Sequence, residues 1–347
     1  MPPGAATAFV NRVRSRLGRI HRSMAPPPVQ ILEASLSMLD HRVLVALCAA
    51  DIPDLLNGPM EIDDLAERSA TDPEMLERLL RFAATRGWVR IDRRGRARPT
   101  HTTAFLRTNH PGGWRAWVDF AAGHEVTAAV EALTATTTVD PFDLANGAPF
   151  FEWMAEHPLR WASFDAAMAA GARLHGLALA TTLDWSTVST VCDVGGGTGV
   201  LLATLLDLQA DLDGTVLDLP AVAERSVDHP RLSAVAGDMF EEIPAGFDVY
   251  LLVAVVHDWG DEEAARILRR IREASHPGGR VVVVEQGREA LPQPGLATST
   301  DVLMAALTGG GKERTIDELT ELGTNVGLTL DEVQRLPSAN HAIVFRY

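Results

Sequence analysis

The chain has 347 residues, 46% of them hydrophobic, which is enough for two domains because one core seldom grows past roughly 250–300 residues. A net charge of -15 argues against the whole chain tracking a phosphate backbone, and the only cysteines, Cys48 and Cys192, sit in apolar runs that argue against a disulfide framework or a thiolate metal site. No apolar stretch reaches the roughly 18 residues of a membrane span, and the start lacks the apolar core of a signal peptide, so a reducing, cytoplasmic setting is expected.

The first segment, "FVNRVRSRLGRIHRS", carries Arg12, Arg14, Arg16, Arg19 and Arg22 with no acid before Glu33. It reads as a solvated helix or frayed arm, with an arm for nucleic acid or anionic membrane as the alternative. "APPPVQ" breaks it, and from Ile31 to Asp51 apolar residues recur at helical spacing. Residues 61–106 predict two short helices, the second capped by Asp72 with Pro73 at its first position and stopped by Gly87. Two short strands around "RRGR" follow, so the order is that of a winged helix. The helix that would enter a DNA groove mixes Asp72, Glu74 and Glu77 with Arg78, Arg81 and Arg86, which suits phosphates poorly; its apolar residues suit packing or dimerisation.

Residues 112–182 predict mostly helix, interrupted at "DPFDLANGAPFFEWMAEHP". The later helix sets Trp161, Phe164, Met168 and Ala172 along one stripe, either core or pocket wall. From Val188, short β-branched runs alternate with helices: "TVSTVCDV", "GTVLDL", "LSAVAG", "FDVYLLVAVV" and "GRVVVVEQ". That alternation predicts a doubly wound parallel sheet, closed by an antiparallel pair near "LTLDEVQRL" and "HAIVFRY". The expected division is 1–110, an N-terminal winged-helix-like domain; 111–182, a helical connector with pocket helices; and 183–347, a cofactor-binding catalytic domain of α/β class.

After the first strand of that sheet stands "DVGGGTG", with Asp193 closing the strand and Gly195, Gly197 and Gly199 in the loop. Ligands of open α/β sheets bind at this switch point. Val200 occupies the position where a dinucleotide fingerprint needs Gly or Ala, so D-x-G-x-G-x-G is read as the loop of a class I S-adenosylmethionine methyltransferase. Asp218 ends the second strand, where a carboxylate can take both ribose hydroxyls. Asp238 is expected to end the third, beside Met239 and Phe240, which could clasp a flat base. His257 is expected at the end of the fourth strand, Glu285 at the end of the fifth, and Glu313 at the opening of a helix; carboxylates there can fix an imidazole's tautomer and stabilise its cation.

In this order "DVGGGTG", "LDLPAV", "GDMF", "HDWGDE", "PGGRVVVVE" and "GGGKERT" resemble the small-molecule O-methyltransferases that include plant caffeate and flavonoid enzymes and bacterial polyketide-tailoring enzymes. The resemblance extends to "FFEWMAEHPLRWASFDAAMAAG", which is similar to the family's F-N-x-A-M helix with Asp165 in place of Asn, and covers nearly the whole chain, most strongly after residue 150. It implies His257 as catalytic base flanked by Glu285 and Glu313, and cofactor contacts from Gly195, Asp218, Leu219, Asp238, Met239 and Phe240. It also implies an acceptor pocket with Phe164, Met168, Met304 and Thr308, to which Trp161 and Asp258 are added here. Thr308 stands where several plant members have Asn, Val253 where they have a Lys near the adenine, and Ala172 where some have Ser; Arg173 is the substitute contact. The N-terminal domain of the family dimerises and lends residues to the partner's pocket, so a homodimer is expected, with no nucleic-acid or membrane partner.

For a phenol of pKa ~10 and an ordinary His near ~6.5, full proton transfer is uphill by roughly 3.5 units, or about 5 kcal/mol. For an acceptor like water, at ~15.7, the gap is about 12 kcal/mol, so a phenolic or enolic hydroxyl on an aromatic small molecule is expected. No metal is expected, since "HDWGDEE" reads as a strand end followed by an acid-rich helix start. Two other functions fit the same motifs: cofactor-dependent hydroxylation or decarboxylation, and a winged-helix regulator that senses the cofactor.

Overall fold

The computed structural model describes residues 4–135, 138–292 and 295–347. The chain divides into two units, one of Arg22–His124 with Ala162–Ala170, the other of the residues up to His21 with Glu125–Trp161 and Gly171–Tyr347. The Arg-rich start is one helix, Gly4–Met24, with all five arginines exposed.

In the first unit, helices Ile62–Ser69 and Pro73–Thr85 are followed by an antiparallel hairpin of β1 (Val89–Ile91) and β2 (Ala97–Pro99). Asp72 caps the second helix, its Oδ1 accepting from Met75 N–H at 2.8 Å, and Gly87 leaves it at φ 75°. Leu65, Leu76, Leu80, Val89 and Ala97 fill the space beneath. On the helix's outer face, Arg78 pairs with Glu74 and Arg81 with Glu77, so these charges largely satisfy one another along the helix. Ile31, Leu32, Leu36, Met38 and Leu39 remain exposed on the preceding helices.

The expected interruption after residue 139 is itself helical, in two short pieces, Pro141–Asn146 and Phe150–Glu156. Its prolines and glycine are end signals rather than breakers: Pro141 starts one helix, Gly147 closes it at φ 84°, and Pro158 starts the long helix Pro158–Thr182.

The second unit holds the seven-stranded sheet: β3 (Thr190–Val194), β4 (Asp213–Asp218), β5 (Leu232–Ala236), β6 (Val249–Val253), β7 (Arg280–Glu285), β8 (Thr329–Arg335) and β9 (His341–Arg346), in the order β5-β4-β3-β6-β7-β9-β8. β3 to β7 pair in parallel; β9 runs antiparallel to β7 and to β8. Alternate residues feed opposite faces. Cys192, Val194, Tyr250, Leu252, Val281 and Val283 join one core, and Val191, Val249, Leu251, Val282 and Val284 join the other. The strand order reverses between β3 and β6, so the carboxyl ends of β3, β4, β6 and β7 open on one crevice.

Candidate active site

The glycine loop leaves β3 at Asp193 and Val194 and enters the helix Val200–Leu208. Gly195, Gly197 and Gly199 all have φ between 60° and 78°, a region costly for side chains. Their surroundings differ. A Cβ on Gly195 would stand 3.0 Å from Val255, so that glycine admits a neighbouring wall. A Cβ on Gly197 would meet nothing within 4 Å, so the bare backbone there faces open space, as a ligand cradle requires. Asp193 is buried with its Oδ2 lacking a hydrogen-bond partner among the described residues. Burial, reinforced by the nearby Asp218, pushes its pKa up to about 7. A buried, orphaned carboxylate oxygen beside an open loop fits a cationic, hydrogen-bonding ligand.

Asp218 ends β4 as expected, and its two oxygens accept from Gly197 N–H and Leu219 N–H, each at 2.8 Å. It therefore also fixes the loop's shape. Asp238 is a correction: β5 stops at Ala236, and Gly237 turns the chain before Asp238 accepts from Phe240 N–H at 2.8 Å in a local turn. Met239 Sδ would lie 3.9 Å from a Cβ on Gly195, which puts Met239 at the loop. Phe240 meets Trp259 edge-on at 4.7 Å between centroids, and Trp259 stacks on Phe151 at 5.4 Å.

His257 is also displaced from the expected strand end. β6 stops at Val253, Ala254 takes φ 53°, and His257 sits in the 3-10 turn Val256–Asp258. A non-glycine residue at positive φ stores about 1–3 kcal/mol, held in place here by Ala254 N–H donating to Val284 at 3.0 Å. Glu285 ends β7 as expected, and its Oε1 accepts from His257 N–H at 3.2 Å. Glu313 lies before the helix Ile316–Asn325, whose cap is Thr315, so it belongs to the extended approach rather than to the helix.

These residues converge. His257 Nδ1 lies 3.1 Å from Glu313 Oε1 and 3.6 Å from Glu285 Oε2, while Nε2 is 3.7 Å from Asp258 Oδ1, beyond hydrogen-bond reach. Both glutamates are buried, and Oε2 of each lacks a hydrogen-bond partner among the described residues. Burial disfavours a charged imidazole, but Glu285, Asp258 and Glu313 outweigh it and push His257 up to about 10. Burial likewise raises Glu285 to about 7 and Asp258 to about 6, with the imidazolium opposing both. The donors of His257, Glu285 and Glu313 fall within 4.8 Å of one another, a spacing that would also suit a cation, and within the cluster Nδ1 and Glu313 Oε1 are in hydrogen-bond contact.

Met304 and Thr308 lie buried at the end of the helix Leu296–Leu307, with Thr308 Oγ1 donating to Met304 carbonyl oxygen at 3.1 Å. Trp161 is buried and Arg173 exposed on the helix Pro158–Thr182. Phe164 and Met168 belong to the other unit, where the Phe164 ring lies 5.3 Å from Phe120. The sequence does not single out Asp301, whose Oδ1 accepts from Glu313 N–H at 2.9 Å, or Arg314, which is buried despite its polar surroundings in the sequence. "GGGKERT" holds the one available signal, an arginine directly after Glu313.

A glycine loop after the first strand of a doubly wound sheet, with acids at neighbouring strand ends and a histidine among carboxylates, defines an α/β transferase of the class I methyltransferase type. Residues 124–329 match the O-methyltransferase domain, and residues 32–105 match the O-methyltransferase dimerisation domain. The chain belongs to this O-methyltransferase family, and S-adenosylmethionine is its methyl donor. It is 36% identical over 299 residues to a 2,7-dihydroxy-5-methyl-1-naphthoate 7-O-methyltransferase of Streptomyces carzinostaticus, covering 83% of this chain and 88% of that one. It is 33% identical to an aclacinomycin 10-hydroxylase of Streptomyces purpurascens, covering 89% and 82%. Among solved structures it is similar to an O-methyltransferase from neocarzinostatin biosynthesis in complex with S-adenosylmethionine and 2-hydroxy-5-methyl naphthoic acid. That similarity has TM-score 0.70 and 33% identity over 88% of this chain and 94% of that one. Among the described residues no helix is long and apolar enough to cross a membrane.

Proposed function

We propose that this enzyme methylates a phenolic or enolic hydroxyl of a fused-ring aromatic natural product, with His257 as general base. The observation that carries the reading is the hydrogen-bond contact of His257 Nδ1 with the buried Glu313. With Nδ1–H given to Glu313, the lone pair of a neutral imidazole lies on Nε2, the nitrogen free to take an acceptor's proton. The carboxylates raise His257 well above an ordinary histidine, to about 10, which narrows the uphill gap to a phenol once the imidazole has given up its own proton. S-adenosylmethionine, when bound, supplies a methyl group already activated on a sulfonium. Asp193, Asp218 and the open backbone at Gly197 hold that donor, with Gly195, Gly199, Leu219, Asp238, Met239 and Phe240 shaping the rest of its site. Trp161, Asp258, Met304 and Thr308 are assigned to the acceptor.

The naphthoate relative supports the substrate class. The base set of His257, Glu285 and Glu313 favours methyl transfer over the hydroxylation named for the other relative. The dimerisation-domain match and the exposed Ile31, Leu32, Leu36, Met38 and Leu39 support a homodimer. Residues 1–110 would form its dimerisation domain, 111–182 the connector and 183–347 the catalytic domain, with two buried free cysteines supporting a cytoplasmic setting.

The test is His257→Ala assayed by S-adenosylhomocysteine release on 2,7-dihydroxy-5-methyl-1-naphthoate and a panel of hydroxylated polyketides. Turnover should fall about a hundredfold or more while calorimetric affinity for the cofactor stays unchanged. Undiminished turnover would remove His257 from the mechanism.

A further inference from the structure

Arg314 is the largest fully buried side chain among the described residues, yet it stands in a run of glycines and charges. Nη1 donates to the Val256 carbonyl at 2.8 Å, Nη2 to the Trp259 carbonyl at 2.7 Å, and Nε to Asp261 Oδ1 at 2.9 Å. Val256 and Trp259 are the residues on either side of His257 and Asp258. A planar fork spanning two carbonyls and a carboxylate fixes their mutual placement in a way that one ammonium cannot.

The strand of chain around Arg314 grips the same turn elsewhere. Lys312 N–H donates to the His257 carbonyl at 2.8 Å, and Lys312 Nζ reaches Asp261 Oδ2 at 2.7 Å. Gly311 passes so close that a Cβ there would lie 2.8 Å from the His257 carbonyl oxygen and 2.9 Å from that of Asp258. Glu313, between Lys312 and Arg314, is thereby carried to His257 Nδ1. The turn and the acid are parts of one clamp.

We propose that Arg314 is a positioning residue for the base. Its guanidinium locks the 256–261 turn onto the 311–314 segment, and that lock sets the contact between His257 and Glu313. The inference rests on the role given to His257 above. Asp258 from the turn itself, Glu285 from β7 and Glu313 are the charged groups facing the imidazole; Asp301 and Arg288 hold Glu313 through its backbone.

The experiment follows the His257 imidazole itself, so it needs no acceptor. Protein labelled with 15N-histidine is titrated by NMR, the His257 signals being those lost in His257→Ala. In Arg314→Lys and in Asp261→Ala the contact with Glu313 loosens, and the His257 midpoint should move down by about one unit or more. Affinity for S-adenosylhomocysteine should stay within about threefold, and thermal unfolding should remain cooperative. A folded variant with an unmoved midpoint overturns the proposal. Should Arg314→Lys fail to fold, Asp261→Ala decides alone, because the Asp261 side chain is largely exposed. Active His257→Ala would sink the catalytic reading and leave the midpoint comparison intact, so the two failures are separable.

Discussion

Asp193→Asn should stabilise the ligand-free protein and do so increasingly as pH rises. Asp193 is almost fully buried, and burial with Asp218 nearby lifts its pKa from 3.8 to about 7. The folded chain then keeps a proton that the unfolded chain has released above 3.8. The associated stability is fully present below that value and is lost as pH climbs to about 7. A shift of roughly 3 units at ~1.36 kcal/mol each puts the full loss at about 4 kcal/mol. Roughly 1.5 units of it fall between about pH 5.5 and 7, so the advantage of Asn should grow by about 2 kcal/mol between pH 5.5 and 8. At about 1–2 °C per kcal/mol for 347 residues, the Tm difference between variant and parent should widen by about 2–4 °C over that range in a thermal shift assay. The same substitution removes a charge from the donor site and should weaken S-adenosylmethionine binding about tenfold or more by calorimetry. A Tm difference that is flat or shrinks with rising pH would mean Asp193 is ionised without cost, and the physical basis of the glycine-loop site would be wrong.

Glu313→Gln deletes a fully buried carboxylate 3.1 Å from Nδ1 of a partly buried imidazole. A charge-assisted hydrogen bond of about 1.5–3 kcal/mol corresponds to roughly one to two pKa units. His257 is raised by its acids, so losing one lowers it: the acid limb of the turnover profile should move to lower pH by that amount, while the plateau drops. A limb that stays in place counts against Glu313 as the partner of the base. Asp218→Ala removes the acceptor for two loop N–H groups, and calorimetry should show weakened cofactor affinity, with turnover at saturating cofactor much less affected. Loss of turnover without loss of affinity would assign Asp218 elsewhere.

The parallel sheet was legible because β3, β6 and β7 are buried on both faces and read as unbroken apolar runs between turn residues. Asp218 and Glu285 came out at the right register because each closes such a run. Asp238 did not, because β5 is an exposed edge strand whose end is set by pairing with β4, which propensity does not report. His257 was placed on the strand because nothing in "VAVVHD" announces that Ala254 takes a left-handed conformation; only the surrounding structure can enforce it. The burial of Arg314 is hidden from the sequence for a related reason. A charge among glycines reads as solvated, and its burial depends on carbonyls more than fifty residues earlier in the chain. The short helices before residue 158 were hidden because proline and glycine mark helix ends as well as loops.

His257 and Glu313, which the sequence places poorly, are the pair on which the proposed chemistry turns. A general base must hold one nitrogen against an acid and present the other, and a turn does this more freely than a strand, whose backbone is committed to its neighbours. The cost is a turn that cannot support itself: Ala254 is strained, and the carbonyls at Val256, His257 and Trp259 find their donors in the 312–314 segment. Glu313, the carboxylate at His257 Nδ1, is embedded in that same segment, so the contacts that relieve the turn also deliver it. Stability of the turn and orientation of the base are therefore coupled. A substitution at Asp261, well outside hydrogen-bond contact with the imidazole, should be felt in the protonation of His257 before it is felt in the stability of the fold.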